Sequence, residues 1–184
     1  CHWGATDCEI LQNPYRIYEI SRHDPEGVRL LAVDRGVFPE DAVRLQHPLP
    51  APSGLDSAVD LRRVRAFTIA ALEEASLGGH TLLPKDKAVD AILSRPVRPA
   101  CPVTGDMLSA RVADMKPEVV SAPTDGTVAL QLERYKAIGT EVRKQVEGRI
   151  GGKRHTVEHD WMDFLKEKFG TAKDNEEKRA RTEK

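Results

Sequence analysis

Two groups of cationic side chains are the strongest candidates for chemistry in this sequence. Arg62, Arg63 and Arg65 lie close together, and Arg143, Lys144, Arg149, Lys153, Arg154 and His155 make the densest cationic run in the chain. Such clusters suit phosphate, with an affinity that falls as salt rises. They also suit solvated helix faces, and cations at a helix C-terminus are favoured by its dipole. The residues alone leave both readings open. His80 is a lone histidine beside a candidate strand, where a structural role competes with a catalytic one. Cys1, His2 and Cys8 offer a zinc reading but lack a second close pair of ligands. No metal site is therefore expected, and the start of the chain reads as a fraying terminus. No phosphate loop, dinucleotide fingerprint, nucleophile elbow or zinc-protease motif occurs. The chain by itself is not expected to be an enzyme.

The bulk properties narrow the class. The chain has 184 residues, enough for one ordinary domain or two small ones. It balances 28 Lys and Arg against 29 Asp and Glu, so a nucleic-acid surface would need a local patch and not a basic chain. Aromatics are only 5%, which predicts small aliphatic cores. No apolar run is long enough for a membrane span, and no secretory leader opens the sequence. Three cysteines are too few for a disulfide framework and fit a reducing cytoplasm. The chain opens on Cys and not Met, which reads as a piece of a longer protein.

The elements that must position these residues follow from periodicity and punctuation. Asn13-Pro14 marks a helix entry, and Ile17 and Ile20 sit at helical spacing. Asp24-Pro-Glu-Gly27 is a turn. Val28 to Val33 reads as a second short helix stopped near Gly36, and Phe38-Pro-Glu-Asp41 can begin a third. Residues 46–56 hold a run of prolines with Gly54 and read as a linker between domains. Ser57 or Asp60 caps the next helix, whose stripe is Leu61, Val64, Thr68, Ala71, Leu72 and Ala75, with Phe67 and Ile69 beside it. The three arginines lie off the centre of that stripe, partly offset by Glu73 and Glu74. Gly78-Gly79 ends the helix. His80 to Leu83 is a short strand, and Pro84 opens a helix with Ala88, Val89, Ile92 and Leu93 inward. Thr104 caps a helix reaching about Met115. Val119 to Leu132 is a hairpin turning at Asp125-Gly126, with Val128, Leu130 and Leu132 on the packed face. The hairpin carries no Lys or Arg, so it is not expected to grip phosphate. Tyr135, Ile138, Val142, Val146 and Ile150 form the stripe of a long helix, and Trp161, Phe164, Leu165 and Phe169 that of a last short one. Lys173 to Lys184 has no core face and reads as a frayed or unstructured tail.

The order helix, strand, helix, helix, hairpin is that of a winged-helix module. The fold class expected is mainly α with a small β-hairpin. The expected division is a helical region 1–45, a linker 46–56, a winged-helix-like domain 57–135, and a helical connector with its tail 136–184.

Several motifs resemble the region ahead of the motor in RecD-like DNA helicases, the superfamily 1 ATPases related to the alpha subunit of exodeoxyribonuclease V. These are Asn13-Pro14-Tyr15-Arg16-Ile17, Arg62-Arg-Val-Arg-Ala66, Leu72-Glu-Glu-Ala75 and Gly79-His80-Thr81-Leu-Leu-Pro84. The resemblance covers roughly residues 11–137. It implies that the first region is helix-hairpin-helix-like and that the whole is an accessory module, which binds or guides single-stranded or forked DNA. It further implies a motor domain elsewhere in the parent that uses ATP and Mg for unwinding in DNA repair, with no cofactor in this part. A family hairpin usually carries a Gly-Ile-Gly turn; here Ser21 to Gly27 has one glycine. The alternative is a module that docks a protein partner or the motor without touching DNA. A stand-alone winged-helix regulator would not explain Asn13 to Ile17.

Overall fold

The computed structural model describes residues 3–124, 127–152 and 160–170, apart from the side chains of Thr127 and Met162. The turn Asp125-Gly126, the cations Lys153 and Arg154 with His155, the pair Cys1 and His2, and the tail 173–184 lie outside the described residues. Among the described residues the chain is mainly helical with one three-stranded antiparallel sheet, and it divides into two units, Cys1–Val142 and Arg143–Lys184.

The first unit opens on α1 (Asp7–Gln12) where a fraying start was expected. Thr6 and Glu9 make a reciprocal capping box, which satisfies donors at the helix start. Next come α2 (Arg16–Ser21), α3 (Leu30–Val37) and α4 (Asp41–Gln46). The second of these starts later than the sequence suggests and stops one residue past Gly36, near where it was expected to stop. The turn between α2 and α3 closes tightly. A Cβ on Gly27 would lie 2.0 Å from the Ser21 carbonyl oxygen and 2.8 Å from that of Asp24. Gly27→Ala therefore forces the backbone of this turn apart. The expected cost is about 1–3 kcal/mol, read as a lower thermal midpoint; an unchanged midpoint would mean that the turn is not closed this way.

The helix α5 (Leu61–Leu77) is capped by the Asp60 side chain, which accepts from the Arg62 amide at 2.9 Å, and it ends at Gly78. The sequence suggests one apolar stripe. In the structure every residue from Ala66 to Leu72 is buried, so this helix is the central element and is covered all round. Both sides of the Pro-rich stretch supply its cover. Tyr15, Tyr18, Leu30 and Val37 join Phe67, Ile69, Leu108, Met115 and Leu130 in one buried cluster. The stretch itself is tied in: Leu55 is buried, and the Ser53 hydroxyl donates to the Leu11 carbonyl at 2.7 Å. The two flanking regions thus share a core, where the sequence suggests a linker between separate ones.

The sheet has the order β1-β3-β2, with β1 at Leu83–Pro84, β2 at Val119–Thr124 and β3 at Thr127–Leu132. The strand expected over His80 to Leu83 is shorter and later, pairing Leu83 with Leu130 and Pro84 with Ala129. Proline at an edge needs no ladder donor, so the short strand tolerates it. Leu130 and Leu132 are buried as expected, but Val128 is exposed near the hairpin tip. Between β1 and β2 lie α6 (Lys85–Leu93) and α7 (Gly105–Arg111), the latter capped by Thr104. The helix expected to run on to Met115 tightens into a 3-10 turn over Val112–Met115.

The last elements are α8 (Glu133–Ile150) and α9 (Trp161–Phe169). Of the stripe expected to pack on α8, Tyr135 lies partly buried against the core, whereas Ile138, Val142, Val146 and Ile150 are exposed, and the helix has no fully buried residue. No helix among the described residues is long and apolar enough to cross a membrane.

Candidate nucleic-acid interface

The arginines of α5 point inward. Arg63 is fully buried, with Nε and Nη2 donating to the two Asp34 carboxylate oxygens at 2.8 and 2.9 Å. Its remaining donors reach the carbonyls of Ala58 at 2.9 Å and Pro99 at 2.7 Å. The guanidinium also lies over the rings of Phe38 and Phe67, 4.5 and 5.2 Å from their centroids. Tyr15 completes the group by donating its hydroxyl to Asp34 at 2.7 Å. Burial works against the Arg63 charge, but the hydrogen bonds and charge of Asp34 outweigh it and raise the pKa. Burial, aided by the bond to Asp34, raises the pKa of the Tyr15 hydroxyl. This constellation is a structural ion pair: no solvent-borne phosphate reaches Arg63. The expectation of a DNA contact or solvated face for Arg63 is corrected on that ground.

Its neighbours are committed in the same way. Arg65 donates to both oxygens of the buried Glu19 carboxylate at 2.9 and 3.1 Å and to the Lys116 carbonyl at 3.0 Å. Arg62 pairs with Asp60 at 3.0 Å and gathers the carbonyls of Gln12, Pro52 and Gly54. These two side chains staple the first forty residues and the Pro-rich stretch to α5. The sequence shows the arginines but not their partners. Asp34 had one signal: Leu30, Asp34 and Val37 share the spacing of a buried helix face.

A second cluster was missed entirely. Glu73 accepts from Arg22 at 2.9 Å and from Arg134, and Arg22 also reaches Glu118 at 2.9 Å. Arg134 contacts His23 and stacks on Tyr135, so this group holds the first turn of α8. Burial, then the nearby Arg22 charge, lowers the His23 pKa. Tyr18 lies beside this group, and burial pushes its hydroxyl up to about 12.

The other motif residues divide between interior and surface. Asn13 accepts from the Tyr15 amide at 3.1 Å, Pro14 is half-buried, and Arg16 meets Glu19 at 3.3 Å. Gly79 adopts φ of 86°, the left-handed turn that favours glycine after α5. His80, Thr81 and Pro84 are exposed. On α8, Arg143, Lys144 and Arg149 are exposed and have no carboxylate partner among the described residues. At about 100° per residue they are spread around the helix and do not line one face.

Two depressions adjoin on the first unit. One of about 420 Å³ lies between the end of α3 and the Pro96–Arg98 strand of chain; a wider one of about 910 Å³ lies under α4. Both are bordered by Phe38, Pro39, Glu40 and Arg98. Among the described residues no group of His, Cys, Asp or Glu is arranged to hold a metal ion. Cys8 is exposed and Cys101 buried, and burial raises the Cys101 pKa. Compared with protein families, curated proteins and solved structures, the chain matches none of them.

Proposed function

We propose that this chain is a non-catalytic accessory module of an ATP-dependent, RecD-like DNA helicase, acting in the cytoplasm beside a motor domain that uses ATP and Mg. The observation that carries the reading is topological. From α5 onward the order is helix, strand, helix, helix, strand, strand, and the strands lie as β1-β3-β2. That arrangement supports the winged-helix-like assignment, and the tight α2–α3 pair ahead of it supports the helix-hairpin-helix-like one. Both agree with the motifs from Asn13 to Pro84. The cations left for DNA are Arg143, Lys144 and Arg149, joined in sequence by Lys153 and Arg154, since those of α5 are occupied.

A second reading has its own support. In a winged-helix module the helix before the hairpin and the hairpin itself face DNA. Here α7 exposes Asp106, Ser109 and Ala110, and the hairpin lacks Lys and Arg. Together with the uncovered stripe on α8, this favours docking of a protein partner or of the motor.

Fluorescence anisotropy with labelled forked DNA at two salt concentrations separates the two. Guidance of DNA predicts binding that weakens with salt. The Arg143→Ala/Lys144→Ala/Arg149→Ala variant should then reduce the slope of log affinity against log salt by about 2–3. Absence of binding at low salt leaves docking as the function.

A further inference from the structure

The smaller depression on the first unit has the makings of a ligand site that the reading above does not use. Its volume, about 420 Å³, lies in the range of small-molecule pockets. Phe38, Pro39, Pro96 and Val97 give it an apolar part, and Asp34, Arg35, Glu40 and Arg98 a charged part of similar extent. The Arg63 guanidinium lies over the Phe38 ring, 4.5 Å from its centroid, and this contact helps to hold the side chain in place. Arg35 and Arg98 border the cleft and are exposed. Neither has an ion-pair or hydrogen-bond partner among the described residues. In a chain whose other arginines of this unit are so often paired, two unpaired guanidiniums on one small cleft are a local excess of donors.

The charge balance sets what they can hold. Asp34 borders the cleft, but Arg63 matches its charge. Glu40 is the remaining carboxylate there, so the cleft carries one net positive charge. Across Phe38 and Pro39 the sign reverses: Glu40, Asp41 and Asp56 face Arg44 and Arg98 in the wider depression. A polyanionic strand laid along both would be favoured at one end and repelled at the other. A single phosphate would be favoured, because two guanidiniums match its oxygens in paired hydrogen bonds. The apolar part of the lining, with the Phe38 ring, suits a flat ring.

We propose that the cleft between Phe38–Pro39 and Pro96–Arg98 binds one nucleotide unit, its ring against the apolar walls and its phosphate between Arg35 and Arg98. The unit is either a free nucleotide or the phosphorylated end of a single strand. The inference goes beyond the accessory role, since a free nucleotide would satisfy it in a module that never touches a DNA fork.

The test is a nitrogen-15 NMR titration of the full chain with dTMP, thymidine and inorganic phosphate. Parallel titrations use a thymidine hexamer with and without a 5′-phosphate. Saturable shifts at Phe38, Val97 and Arg98 with dTMP, and weaker ones with thymidine or phosphate alone, are expected. Arg35→Ala/Arg98→Ala should weaken dTMP about tenfold or more. Glu40→Gln should strengthen it about two- to fivefold by removing the one opposing charge; all three residues are on the surface, so the fold is retained. Tighter binding of the phosphorylated hexamer than of dTMP identifies a strand end; a preference for dTMP identifies a free nucleotide. The proposal is overturned if neither ligand shifts these residues, or if the double variant keeps wild-type affinity. It is also overturned if inorganic phosphate binds as well as dTMP. Absence of forked-DNA binding at low salt would refute the DNA-guiding role and leave this titration unchanged.

Discussion

Replacing Asp34 by Ala should lower the stability of the first unit by about 3–5 kcal/mol, because it leaves a buried guanidinium without its counter-charge. Arg63 is fully buried and spends two donors on Asp34. The carbonyls of Ala58 and Pro99 remain as partners, but neither carries a full charge. Tyr15 would lose its acceptor in the same step. The sign of the effect comes from the asymmetry between breaking a buried pair and replacing it. Removing one partner exposes the full desolvation cost, whereas replacing both with apolar groups is often near neutral. The double variant Asp34→Leu/Arg63→Met should therefore recover much of the loss. Urea unfolding followed by far-ultraviolet circular dichroism measures both, with the midpoint shift converted through the slope. An Asp34→Ala midpoint within about 1 kcal/mol of wild type would mean that Arg63 finds water or another acceptor, and the buried pair would lose its central place in this account.

Phe67→Ala is expected to cost a similar amount, about 3–5 kcal/mol. Phe67 is fully buried in the middle of α5 and belongs to the cluster shared by every layer around that helix. Its ring also serves two guanidiniums, with Arg63 5.2 Å and Arg95 5.7 Å from the centroid. Truncation therefore opens a cavity and removes the aromatic face beneath two cations. The Arg95 Nε is buried without a hydrogen-bond partner, so it depends on that ring more than most guanidiniums would. Phe67→Leu keeps most of the volume and should recover part of the loss. A Phe67→Leu variant as unstable as Phe67→Ala would assign the effect to the cation–ring contacts and not to the cavity. Thermal unfolding of the three proteins side by side decides between these causes.

The helices α5, α6 and α8 and the hairpin β2–β3 are legible in the sequence because their signals are local. Asp60 and Thr104 cap helices with their own side chains, Gly78-Gly79 ends one, and the alternation of Leu130 and Leu132 matches the strand period. The capping box at Thr6 and Glu9 was equally local and marks a helix where the composition suggests only a loose start. The cationic clusters are also plain in the sequence, but their use is not. Arg62, Arg63 and Arg65 look like a surface patch because sequence spacing reports only the face of a helix. Whether that face meets solvent depends on what packs against it. Asp34 and Glu19, 29 and 46 residues away from their arginine partners, arrive only through the fold. The same holds for Leu55 and Ser53, whose burial draws a proline-rich stretch into the core, and for the uncovered stripe of α8, which periodicity would place inside. The sequence by itself determined the longer helices and the hairpin, since capping, turn chemistry and periodicity act over a few residues. Only the tertiary structure decided which charges are spent inside and which remain for a ligand, because burial and ion pairing join residues that are distant along the chain.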